Sequence, residues 1–98
     1  MAVYVRYADK AEKLVLSLAT VRDRIEVATK IVAVTVLDKG AGTFALTFHF
    51  YDGTDLTLDQ DEVSNGDVFQ WNIDALLLTN TAQAGETLKL LVDIQIEK

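Results

Sequence analysis

Strict alternation of apolar and polar side chains constrains this chain more than any other feature. Leu88, Leu90, Val92, Ile94 and Ile96 fill every even position of the last segment, Lys89, Asp93, Gln95 and Glu97 take odd ones, and only Leu91 breaks the polar face. A side-chain period of two belongs to a β-strand with one face buried. The same period runs through Phe44, Leu46, Phe48 and Phe50 against Ala45, Thr47, His49 and Tyr51. Asp52-Gly53 then supplies a pair that tolerates positive φ, and Leu56 and Leu58 resume the alternation beyond it, which predicts a β-hairpin.

The remaining segments extend this pattern. Val3, Val5 and Tyr7 predict a first strand over residues 2 to 7. Ile31 to Leu37 is apolar or Thr throughout, as in a strand covered on both faces. Asp38 to Gly42 reads as a hairpin loop and Asp59 to Gly66 as a solvated loop. Phe69, Trp71 and Ile73 predict another strand, and Ala75 to Thr79 a short apolar one. Residues 10 to 28 support two readings. Asp9 and Glu12 fit a capping box ahead of Leu14, Leu18, Val21, Ile25 and Ala28 at helical spacing, whereas Leu14, Leu16 and Leu18, a turn at Val21 to Arg24, and Ile25 with Val27 fit strands. Strands are favoured, because β-branched content is high and a helix here would be the only long one in the chain. The expectation is an all-β protein: a single antiparallel β-sandwich of seven or eight strands over residues 1–98, jelly-roll-like, with a short helix within residues 10–28 as the alternative.

Composition narrows the chemistry. A chain of 98 residues has room for one domain. It has no Cys, hence no disulfide framework, thiolate nucleophile or Cys-based zinc site. A net charge of −6 argues against binding a phosphate backbone, which needs clustered Lys and Arg. Met1 to Lys10 lacks the apolar region of a signal peptide, and no apolar run approaches the roughly 18 residues of a membrane span, so neither nucleic acid nor membrane is an expected partner. The charge is lopsided: residues 1 to 40 carry seven bases and five acids, residues 41 to 98 two bases and ten acids.

Each constellation with chemical potential meets a plainer explanation. Gly40-Ala41-Gly42-Thr43-Phe44-Ala45 matches a dinucleotide fingerprint in letters, but strand alternation follows where the phosphate-binding helix is required. His49 shares a strand face with Tyr51 and lacks a partner Ser in any nucleophile-elbow pattern, so a surface or interface His is the better reading. Asp52, Asp55, Asp59, Asp61, Glu62 and Asp67 fit neither a calcium loop nor a glycosidase pair, because Val63 and Ser64 stand where an EF-hand needs a ligand and a Gly. They read as a solvated acidic rim. Trp71, Tyr51, Tyr4 and Tyr7 raise a second hypothesis, a glycan-binding or adhesion module, although Trp71 shares parity with Phe69 and Ile73 and so with the core.

Some apolar positions exceed what one interior needs. Val32 and Val34 lie in the doubly apolar strand, and Leu77 and Leu91 interrupt outward faces. With Tyr51 and His49 they form a candidate interface, since each large apolar side chain contributes about 1.5–3 kcal/mol if a partner covers it. This predicts a homo-oligomer, a trimer or ring, with no catalytic, metal or cofactor site.

The run Leu78-Thr79-Asn80-Thr81-Ala82-Gln83-Ala84-Gly85, within residues 72 to 92, resembles the closing segment of small virion structural proteins of tailed bacteriophages. Gly42-Thr43-Phe44-Ala45-Leu46 and Asn65-Gly66-Asp67 extend the likeness over residues 40–95. The resemblance implies a non-enzymatic β-sandwich component of a capsid, neck or tail. Such a protein is made in the host bacterial cytoplasm, is located in the virion, and contacts itself and other virion proteins. No catalytic residue carries over.

Overall fold

The computed structural model describes residues 8–28 and 30–95. Eight antiparallel strands form: β1 (Lys10–Ser17), β2 (Arg22–Val27), β3 (Ile31–Asp38), β4 (Phe44–Phe50), β5 (Asp55–Asp59), β6 (Val68–Phe69), β7 (Ile73–Asn80) and β8 (Thr87–Ile94). One 3₁₀ turn, Gln60–Glu62, follows β5. The all-β expectation holds, and β1 and β2 replace the helix considered for residues 10–28. The strand expected over residues 2 to 7, and Ile96 and Glu97 at the other end, lie outside the described residues.

The pairings fall into two groups of four. In the first, β1 pairs with β8, β8 with β3, and β3 with β6. In the second, β2 pairs with β7, β7 with β4, and β4 with β5. A single pairing of Ile31 with Ile73 joins them. The inward side chains of both groups build one core, which includes Leu16, Val34, Val36, Leu88, Leu90 and Val92 from the first and Leu46, Phe48, Leu76 and Leu78 from the second. Phe48 of β4 meets Phe69 of β6 at a ring-centroid distance of 5.4 Å, so the apolar faces of the two groups are in direct contact.

Several local expectations are corrected. Asp38 to Gly42 is not a hairpin loop, because β3 and β4 belong to different groups and the segment crosses between them. The crossing is tight: a Cβ on Gly42 would sit 2.7 Å from Leu18 Cδ1. The turn before β2 comes earlier than Val21 to Arg24, since Arg22 already pairs with Asn80. The strand expected through Phe69, Trp71 and Ile73 stops at Phe69, and Trp71 lies in the connection to β7. Its indole still turns inward, edge-on to Phe48 at 5.3 Å and against Phe50 and Phe69.

Bulges explain the misassigned faces. In β3 the register shifts between Ile31 and Ala33, so Ile31, Val34 and Val36 all reach the core and Val32 is buried beside them. Val32 and Val34 are therefore interior residues rather than interface candidates. In β2 the register shifts between Ile25 and Val27. Glu26 and Val27 both lose most of their exposure, while Ile25, opposite the outward Leu77, stays 55% exposed.

Candidate functional site

The face of β2-β7-β4-β5 that points away from the core carries the densest set of candidate residues. Register places Ile25 opposite Leu77 and Leu77 opposite Thr47. One step along, Ala75 lies opposite His49 and His49 opposite Asp55. These six residues line a shallow open depression. Thr47 and Thr57 close its far side with a hydroxyl pair 2.9 Å apart.

His49 is held between two carboxylates. The β4–β5 hairpin forms as its sequence predicts, closed by Phe50 N–H donating to Thr54 O at 2.9 Å and by Gly53 at φ 91°. That closure puts Asp55 Oδ1 2.5 Å from His49 Nδ1. Asp74, the extra residue where the β4–β7 register shifts, brings its Oδ1 to 3.7 Å from His49 Nε2. This oxygen is screened from solvent and accepts no hydrogen bond within normal distance. The hydrogen bond from Asp55 raises the His49 pKa above 6.5, helped by the charges of Asp74, Asp55 and Asp52 against partial desolvation. Asp52 itself accepts from Thr54 Oγ1 at 2.7 Å and Thr54 N–H at 3.0 Å, which holds its carboxyl below the usual value.

The other candidates are dispersed. Tyr51 is 56% exposed in the turn beyond β4. Leu91 lies half-buried on the opposite outer face, between Lys13 of β1 and Thr35 of β3. Of the proposed interface set, only His49 and Leu77 come together. Ile25, Asp55 and Asp74 join them, and none was singled out for this site in the sequence. Asp55 was legible in principle, since a hairpin closed at Phe50 and Thr54 pairs positions 49 and 55. Ile25 and Asp74 depend on bulges that leave no mark in hydropathy. Among the described residues no group of three or more His, Cys, Asp or Glu is arranged to hold a metal ion.

The distinctive segment around Asn80 and Gln83 makes a structural knot. Asn80 is buried; its Nδ2 donates to Leu18 O, Thr20 O and Thr81 O, and its Oδ1 accepts from Arg22 N–H. Gln83 clasps the Thr43 backbone, accepting from its N–H and donating to its carbonyl, both at 2.6 Å. The two amides tie the β1–β2 turn and the β3–β4 crossing to the β7–β8 connection. Comparison with protein-family models, characterised proteins and solved structures found no match to this chain.

Proposed function

We propose that this chain is a non-enzymatic structural component of a phage particle, acting by self-assembly through its sheet surfaces. The observation that carries the reading is the outward pair Ile25 and Leu77. These two apolar side chains sit side by side where the chain's own core has no use for them. The strand order of the two groups matches an eight-stranded jelly roll, an architecture shared by capsid and lectin domains. The sequence resemblance over residues 40–95 supplies the phage context. His49 supports a non-catalytic role, because both of its ring nitrogens face carboxylates and neither faces a nucleophile.

The glycan reading has weaker support. Its best aromatic, Trp71, is committed to Phe48, Phe50 and Phe69, and Tyr51 is the one exposed aromatic among the described residues. Light scattering over a wide concentration range, together with mass spectrometry of purified particles, tests the proposal. Concentration-dependent oligomers and presence in the particle are expected. A monomer at every concentration that is also absent from particles overturns it.

A further inference from the structure

The two outer faces differ in charge. On β2-β7-β4-β5, the apolar Ile25–Leu77 centre is flanked by Asp23 and Asp59 on one side and by Asp55 and Asp74 on the other, with His49 the one group of opposite potential charge. Arg22 and Arg24 of the same edge are tied to Glu26, at 2.8 and 3.2 Å. On β1-β8-β3-β6 the centre is apolar and basic. Lys13 lies opposite Leu91, and Val15 opposite Lys89, with Val68 beyond Thr35. Val15 and Val68 are 58% and 53% exposed. Asp93 and Asp38 lie at the margins of this face, and Asp38 is occupied by the Gly40 N–H. Neither Lys13 nor Lys89 forms an ion pair with a described residue.

We infer that the acidic face of β2-β7-β4-β5 docks onto the lysine-bearing face of β1-β8-β3-β6 of a second copy. The inference rests on the self-assembly reading and specifies its geometry. Pairing the acidic face with itself would oppose four carboxylates to four, whereas the unlike pairing sets Lys13 and Lys89 against them and Leu91 and Val15 against Ile25 and Leu77. A contact between unlike faces leaves each copy with one face free. It therefore propagates head to tail into a ring or a filament, depending on whether the rotation closes. Strand-edge pairing is a poor rival at β2, where charged side chains line the inner side of the edge.

Two variants that each disable one face test this: Leu77→Asp on the acidic side and Leu91→Asp on the basic side, with Ile25→Ser and Val15→Ser as milder substitutes if either fails to melt cooperatively. The wild type should assemble, and do so less above about 0.5 M salt, where screening is short-ranged. Each variant alone should sediment as a monomer. Their equimolar mixture should recover a dimer and stop there, because each variant retains the one face that the other lacks. If either variant still dimerises alone, or the mixture stays monomeric while the wild type assembles, the unlike-face contact is wrong and self-assembly survives. A wild type that is monomeric throughout overturns both.

Discussion

Asn80 shows how much structure one side chain can hold. It is the one buried polar residue among the described residues, and its amide serves carbonyls on two different turns as well as the Arg22 N–H. Removing it strands those groups away from water at about 1–3 kcal/mol each where they stay buried. Asn80→Ala should therefore lower the unfolding free energy by about 3 kcal/mol in urea titration, and Gln83→Ala, in a more exposed place, by about 1 kcal/mol. His49 makes a different prediction, in pH. Its pKa is raised above 6.5 by Asp55 first and Asp74 next, so folding favours the protonated ring. The resulting stabilisation is fully present below the unfolded value near 6.5 and is lost as pH rises through the higher folded value. An NMR titration of His49 should show a midpoint above 6.5 that falls toward it in Asp55→Asn.

Within a strand, the informative contrast is between neighbours. Leu77 is half-buried on the outer face and Leu78 is fully buried. Leu78→Ala should cost about 2–5 kcal/mol, while Leu77→Ala should leave the melting temperature of the dilute protein nearly unchanged and act on assembly. Gly42→Ala should destabilise by about 1–3 kcal/mol, because its Cβ would press on Leu18 and, at 3.1 Å, on Glu86 Cβ. Calorimetry of the three variants checks these outcomes. The same contrast explains what the sequence made legible. Alternation located β4, β5 and β8, and it placed Leu77 and His49 outward, because parity needs no knowledge of partners. It misplaced Val32 and Val34 and gave no sign of Ile25 or Asp74 as site residues, because an extra residue in a strand reverses parity through the backbone. The crossing at Asp38 to Gly42 looked like a hairpin for a related reason: loop composition reports a bend, and the partner of each strand is chosen elsewhere in the chain.

For the molecule as a whole, the decisive pairing is that of the first described strand with the last. β1 and β8 run side by side from Lys10 opposite Ile94 to Ser17 opposite Thr87. Loop closure across almost the entire chain must precede that ladder, so folding should take milliseconds to seconds, as in other all-β domains. Stopped-flow fluorescence of Trp71, which reports assembly of its aromatic cluster, measures it. The ladder also has a mechanical consequence. Asp9 N–H already bonds to Ile94 O, so the chain enters β1 and leaves β8 at the same end of the ladder. Tension applied through these two points opens the ladder like a zip, loading one hydrogen bond at a time, whereas load carried across the broad faces is shared by every side chain in contact. A subunit of this shape is weak when hung from its ends and strong when clamped between neighbours.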